Sequence, residues 1–419
     1  MKKRFRNLLN HGIFSSFKWL YPGMGIKRWI LLGSIGILLI ITGSLKFQAE
    51  PLFFLKVLAV IVLLCGVILL VTAVKRMLRS VITILLPQHD MELADIMFKQ
   101  RHLGRGARIV TVGGGSGLSV LLQGLKEYTS NIAAIVTVAD NGGSSGRLRE
   151  QFDILPPGDL RNCLVALADA PALMRDLFQF RFNKDSEFSG HNFGNLFITV
   201  MTQLTGDFEK AIKESSKVLA IRGQVIPSTL DKVVLSAKYN DGSLALGEVQ
   251  IPQGHKPIEK VYLTPPDVAA TPEAVKAIQQ ADIIILGPGS LYTSIIPNLL
   301  IKEITDAIVA SNAMKVYVCN VMSEYGETDK FSAFDHLNVI IKHSHPKIVD
   351  YCIVNNGKVP DEWLERYKQE NSYPIAAEAA KFNSLGCKVI EADIITISDY
   401  VRHDSAKLAR TILGLLEEE

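Results

Sequence analysis

Hydrophobic and polar positions divide this chain into two unlike parts. Residues 29–45 carry no charge and are bounded by Lys27, Arg28 and Lys46. Residues 57–74 form a second such run, between Lys56 and the group Lys75, Arg76 and Arg79. Each reaches the short end of the roughly 17–25 residues that cross a bilayer. Neither shows the polar face that a helix in a soluble core normally carries. The pattern predicts two transmembrane helices forming a hairpin over 29–74. Gly33, Gly36, Gly43 and Gly66 offer small surfaces on which the helices can approach. The apolar run starts late and lacks an A-x-A-like site, which argues against a cleaved signal peptide.

From residue 107 the pattern changes to short β-branched runs alternating with amphipathic segments. Residues 109–112, 132–138, 283–286, 316–319 and 353–354 read as buried strands. Leu118, Leu121, Leu122 and Leu125 follow the first of them at helical spacing. Residues 160–167, 196–204, 275–281, 331–343 and 405–416 also read as helical. Such alternation predicts an α/β fold: a doubly wound, mostly parallel, Rossmann-like sheet. One stretch breaks it. Residues 233–239 and 243–251 flank Asp241-Gly242, a strong hairpin signal, and predict an inserted β-hairpin region. The chain thus divides into a basic N-terminus (1–28), the hairpin (29–74), a juxtamembrane linker (75–106) and a ligand-binding domain (107–419).

Charge sharpens this division. Residues 1–108 hold 16 Lys/Arg against 4 Asp/Glu, while the remainder holds 29 against 38. A basic start and an acidic body argue against nucleic acid as a partner and for a membrane-facing N-terminus. Residues 1–28 contain no acid, the loop between the apolar runs is poor in charge, and the exit of the second run is basic again. The positive-inside rule therefore places both termini and the main domain in the cytoplasm, with two spans in the inner membrane. The five cysteines are scattered without a CxxC pair, as expected of free thiols in a reducing compartment.

Candidate chemistry gathers where strands end. The first strand runs into Gly113, Gly114, Gly115, Ser116 and Gly117, then a helix. A strand, glycine turn and helix in that order expose backbone N–H groups and a helix N-terminus to an anion. Leu118 stands where the dinucleotide fingerprint wants glycine, and no Gly-Lys-Ser/Thr follows, so neither that fingerprint nor a Walker A loop is present. The second strand ends in Asp140, Asn141, Gly142, Gly143, Ser144 and Ser145, with Arg147 and Arg149 beyond. Asp140 is suited to a ribose hydroxyl or a divalent metal, and the arginines complement phosphate. Asp159 and Arg161, after Pro156-Pro157-Gly158, are either a helix cap with an ion pair or ligand contacts. His191 and Asn195 sit at a glycine-framed helix start, where His191 is either structural or a ligand contact. Phe178, Phe180 and Phe182 read as core packing rather than a base-stacking platform. Gly287, Gly289, Ser290, Thr293 and Ser294 form a third strand-to-glycine-loop transition, and Asn320 ends the next strand.

Five of these motifs, taken in order, resemble the CofD/YvcK superfamily: Gly113 to Gly117, Asp140 to Gly146, Gly158-Asp159-Leu160-Arg161, Gly190 to Leu196 and Gly287 to Ser294. Cys319-Asn320-Val321-Met322 and Gly326-Glu327-Thr328-Asp329 look like the YvcK branch, the gluconeogenesis factors. Ser323-Glu324-Tyr325 departs from that branch's usual Thr-Gln-Pro, and the membrane hairpin lies outside the resemblance. The YvcK likeness implies a regulator of cell shape and cell-wall precursor metabolism that binds a UDP-sugar such as UDP-N-acetylglucosamine. It requires no cofactor, self-associates, and acts on an unidentified protein partner in precursor synthesis. It also implies that Gly114, Gly115, Asp140, Asn141, Ser144 and Ser145 hold the nucleotide-sugar. The CofD branch implies the alternative, a 2-phospho-L-lactate transferase acting on a deazaflavin with Mg²⁺ at Asp140.

Overall fold

The computed structural model describes residues 26–85, 102–183 and 187–417. It divides into an N-terminal unit ending at Lys99 and a body that starts at Gln100. Most of the basic segment 1–28, and residues 86–101 of the expected linker, lie outside the described residues.

The N-terminal unit is an antiparallel pair of helices, Ile26–Ala49 and Phe53–Leu85. Both are long and apolar enough to cross a bilayer. The expected glycines let them touch. A Cβ at Gly66 would lie 2.7 Å from the Gly36 carbonyl oxygen, and one at Gly36 would lie 2.9 Å from that of Gly66. Gly43 faces the Ala59 carbonyl at 3.0 Å, and Gly33 packs on Ala73. Backbones this close gain dispersion that larger side chains would forbid. Leu31, Leu38, Ile68 and Val71 face outward. The second helix runs past the apolar stretch to Leu85, so the start of the expected linker is helical. Arg76 turns back along it to stack on the Trp29 ring, 4.9 Å away.

The body is built on seven parallel strands in the order β10-β9-β8-β7-β1-β2-β3. These are β1 Ile109–Gly113, β2 Ile132–Val136, β3 Gln224–Pro227, β7 Ile283–Leu286, β8 Met314–Val318, β9 Tyr351–Asn355 and β10 Lys388–Ala392. The central strands β1, β2, β7 and β8 are buried throughout, which explains their unbroken apolar runs. Helices Gly115–Leu125 and Gly158–Leu167 pack on one another over this core, and the terminal helix Ser405–Glu417 closes on the first of them. That closure is tight: a Cβ at Gly124 would strike the Ser405 carbonyl.

The expected insertion is a separate three-stranded antiparallel sheet, β4 Val234–Tyr239, β5 Leu244–Leu246 and β6 Ile258–Thr264. The Asp241 carboxylate accepts from the Ser243 N–H in the hairpin turn, as the Asp-Gly signal implied. Residues 250–253 form a helical turn where the alternation suggested continuing strand. A short ribbon, β11 Ile395–Ile397 and β12 Val401–His403, precedes the last helix. The alternation did not reveal β3, β10 or this ribbon, each being short or half polar.

Replacing Gly66 by Leu drives a branched side chain into the Gly36 backbone. With spin labels at positions 38 and 68 of the full chain in micelles, the G66L variant should show a longer interhelix distance than the parent. An unchanged distance would overturn the glycine contact.

Candidate functional site

Strands β1, β2 and β3 progress to one side of the sheet, while β7 to β10 progress to the other. The order therefore reverses between β1 and β7. In open α/β sheets the crevice at the carboxyl ends beside such a reversal is where ligands bind. The glycines make this crevice. Gly115 adopts φ +68, open to glycine at little cost. A Cβ at Gly289 would lie 3.1 Å from the Gly114 carbonyl, and one at Gly117 would lie 2.7 Å from that of Pro288. Helices Gly115–Leu125 and Gly143–Phe152 both start here, and their caps, Gly114 and Gly142, lend no side chain to the first-turn N–H groups. These are the conditions for anion binding.

Two carboxylates line the floor. Asp159 is not a cap; Pro157 holds that position. Its carboxylate instead tucks under the glycine loop, where a Gly114 Cβ would lie 2.5 Å from Oδ2 and the Gly115 N–H donates to it. Burial, with the Asp140 charge beside it, pushes Asp159 up to about 6, while the Gly115 N–H and Arg161 pull the other way. Asp140 accepts from the Gly142 N–H at 2.7 Å in an Asx turn. Its other oxygen lies 3.0 Å from where a Gly158 Cβ would stand.

The second and fourth motifs lock together. Ser144 Oγ lies 3.1 Å from His191 Nδ1, and the Ser145 hydroxyl accepts from Asn195 Nδ2 at 3.5 Å. Asn192 caps its helix by accepting from the Gly194 and Asn195 N–H groups. His191 is thus fixed among buried polar groups, and burial, then the Arg147 charge, lowers its pKa. Arg161 packs against Gly194 with its Nε unpartnered, and burial with Arg181 nearby pushes it down to about 10. Some expected residues face elsewhere. Asn141 accepts from the Val249 N–H at 3.1 Å and donates to Gln250, pinning the inserted sheet to the second loop. Arg147 donates to the Ser189 carbonyl, and Arg149 to that of Val233. Phe178 is core, as expected, but Phe180 is half exposed and stacks edge-on with Phe182.

Sequence reasoning missed three acids. The insertion carries Glu248 against Asp140, with which it shares a hydrogen bond; burial and the charges of Asp140 and Asp159 push it up to about 9. Glu327 accepts from Thr293 Oγ1, and its Oε2 is buried without a partner. Burial and Glu324 push Glu327 up to about 8. Glu324 is raised by burial, while a hydrogen bond from Ser290 opposes this. It also accepts from Asn320, whose Oδ1 receives the Gly289 N–H at 3.2 Å. Single acids in loops after strand ends were the available signal. Among the described residues, no three His, Cys, Asp or Glu side chains group to hold a metal ion. Asp140 and Asp159 already accept backbone N–H groups. No step is routed through a cation.

A cleft of about 330 Å³ opens beside the glycine loop. Ser116 and Gly117 form one wall, Asn320 to Glu324 the floor, and Tyr400, Arg402 and His403 of the C-terminal ribbon the other wall. Arg402 lies over the Tyr400 ring at 5.4 Å, and Arg366 stacks on the same ring at 5.2 Å. His403 is buried, its Nε2 donating to the Cys319 carbonyl at 3.2 Å, and burial lowers it to about 4. These ribbon residues carried no motif in the sequence.

The profile of the family described as 2-phospho-L-lactate transferase CofD matches residues 109–395. This chain belongs to the CofD family. A relative in Nostoc sp. (strain PCC 7120) is 43% identical over 99% of this chain and 95% of its own. The Bacillus subtilis protein named "Gluconeogenesis factor" is 46% identical over 75% of this chain and 100% of its own. A crystal structure of a Bacillus halodurans protein superposes with a TM-score of 0.72 at 46% identity, covering 74% of this chain and all of its own. The family match thus covers the sheet and the loops at its strand ends, and stops short of Tyr400, Arg402 and His403.

In this CofD-family chain the raised acids give the body a distinctive pH response. Below about 4.5, the usual glutamate value, Glu327 is protonated whether the chain is folded or not. As pH rises to about 8 the unfolded chain ionises while the folded one must keep its proton, so stability falls across that window. Glu327→Gln removes the penalty. It should melt above the parent at pH 8 by roughly 2 °C or more, with the gap closing by pH 5. A gap that grows on acidification in calorimetric melts would overturn the assignment.

Proposed function

We propose that the body binds a nucleoside-diphosphate sugar, UDP-N-acetylglucosamine or a close relative, and acts as a membrane-anchored regulator of cell-wall precursor metabolism and cell shape. One observation carries this reading: the cleft between the glycine loop and the Arg402 wall, at the strand-order reversal. It joins two kinds of recognition. The N–H groups of the loop and the arginine suit a diphosphate. The cleft beyond, with Tyr367 and Tyr400 on its walls, suits the flat and polyol parts of such a ligand. Glu248 and Glu327, held protonated near neutral pH, act as donors to sugar hydroxyls rather than as repelling charges. The two apolar helices serve as anchor, with both ends on the cytoplasmic side as the basic flanks require. Regulation needs the ligand to favour one conformation. The insertion supplies an element able to report it, since Asn141 ties Val249 to one loop while His255 stacks on Tyr325 of another at 4.5 Å.

The paired Asp140 and Asp159 favour a second reading, a CofD-like transferase in which Mg²⁺ arrives with the substrate. Calorimetry on the full chain in detergent separates the two. The regulator reading expects UDP-N-acetylglucosamine to bind equally with and without Mg²⁺, in preference to GDP and NAD, and to be recovered intact. Arg402→Ala should then weaken binding by about tenfold or more, the loss of one charge-assisted hydrogen bond. A strict Mg²⁺ requirement with a guanine nucleotide, or release of a nucleoside monophosphate from a nucleoside-diphospho-lactate, would establish the transferase instead. Unchanged affinity in R402A would remove the cleft from the site.

A further inference from the structure

The inserted sheet ends on β6, an edge strand whose outward N–H groups face no further strand. One of them meets a side chain of the body. The Val261 N–H donates to His343 Nε2 at 3.1 Å. His343 is the last residue of helix Ala333–His343, and its Nδ1 lies 2.8 Å from the Val339 carbonyl of the same helix. A carbonyl oxygen only accepts and a backbone N–H only donates, so these two contacts fix the ring. Nδ1 carries the proton and Nε2 a bare lone pair. The neutral ring completes both bonds, whereas the imidazolium would turn a second N–H against that of Val261.

The surroundings favour the neutral ring. Burial is the largest influence lowering the pKa of His343. The charges that reach it are Lys342 on its own helix and Lys260 on β6, both cations, while its bond to Val339 pulls the other way. From a third element, Tyr292 meets the ring edge-on, centroids 6.0 Å apart, with its hydroxyl kept protonated by burial. A ring released from the sheet titrates near the usual histidine value of about 6.5. Docking is therefore at full strength above that value and weakens as pH falls below it, because the released ring takes a proton that the docked ring refuses. Val261 and Leu263 are buried apolar side chains indifferent to pH, so protonation loosens the edge without unfolding the sheet.

The same insertion reaches the crevice at its other end. There the Val249 N–H donates to Asn141, and Glu248 shares a hydrogen bond with Asp140. Between the two points Pro252 packs on the Gly326 backbone and His255 stacks on Tyr325, so a displacement at one end is carried to the other. We propose that His343 is a positioning residue for the crevice: its neutral ring holds the edge of the inserted sheet, and by taking a proton it lets go of Val261 and draws Glu248 and Val249 away from Asp140 and Asn141. The crevice is complete at neutral pH and loosened in acid, whatever ligand fills it.

Hydrogen-exchange mass spectrometry on the full chain in detergent, without ligand, reads both ends of the insertion. The peptides are 258–264 and 247–253, with protection corrected for the intrinsic rate at each pH. Between pH 7.5 and pH 5 the parent should lose about tenfold in protection at both, the loss of one buried hydrogen bond. His343→Gln sets an amide oxygen in place of Nε2, an acceptor that takes no proton, and should keep the parent's pH 7.5 protection throughout. His343→Ala should show the loosened state already at pH 7.5. A parent with unchanged protection overturns the proposal without recourse to any variant. So does an H343Q variant that follows the parent's pH profile, which places the titration in another group. Loss confined to 258–264 reduces His343 to a local tie and overturns its positioning role. With no ligand added, these outcomes stand whether or not the crevice takes a nucleoside-diphosphate sugar.

Discussion

The body depends on a meeting of backbones at the ends of β1 and β7 where no side chain fits. Gly289 reaches the Gly114 carbonyl, Gly117 reaches that of Pro288, and Gly287 takes a left-handed φ of +75 as its N–H donates to the Val112 carbonyl. Any Cβ at Gly114 would also collide with Asp159. Closing this junction fixes the direction of two helices and sets a carboxylate under a ring of N–H groups. The crevice is a consequence of the same contact. If the glycines are needed to pack the junction, the N–H groups they bare are available to a ligand at no further structural cost.

The central fold was legible because it is made of the signals that survive in a single sequence. Strands buried on both faces leave unbroken β-branched runs, and β1, β2, β7 and β8 were all found that way. Elements with mixed burial were not. Strand β10 is half exposed, β3 is four residues long, and the ribbon Ile395–His403 alternates with polar residues that look like loop. The candidate site divides along the same line. Residues advertised by glycine and by position after a strand meet at the crevice: Gly114, Gly115, Asp140, Asp159 and Asn320. Glu248 and Arg402 were not, because each reaches the crevice from an element far along the chain that no local pattern ties to it. Asn141 shows the reverse limit. Its motif is conspicuous, yet its side chain serves to hold the insertion.

That insertion changes the electrostatics of the crevice. Without it, Asp140 and Asp159 would be two acids beneath helix N-termini, an arrangement the dipoles favour. With it, Glu248 joins them, and the three acids stand beside Glu324 and Glu327 in a space poor in water. Burial first, and then the like charges close by, keep these acids from all ionising, and the raised values of Asp159, Glu248 and Glu327 follow. Arg149 and Arg161 offset part of this through their charges on Asp140 and Asp159, while Arg147 and Arg149 donate their N–H groups to backbone carbonyls. The crevice near neutral pH is therefore a mixture of hydrogen-bond donors and acceptors.

The N-terminal hairpin, apolar enough to cross a bilayer, is held together by a different physics. Lipid gives apolar surfaces no reason to associate, so Gly36, Gly43 and Gly66 bring backbones together where larger residues would hold them apart. The body needs no such help, because water drives its core. A Bacillus subtilis relative is matched over its whole length by three quarters of this chain. A Nostoc relative aligned over nearly all of this chain extends the match through the hairpin. Confinement of such a hairpin to a bilayer would raise the effective concentration of any molecule held in the same surface without altering a single contact.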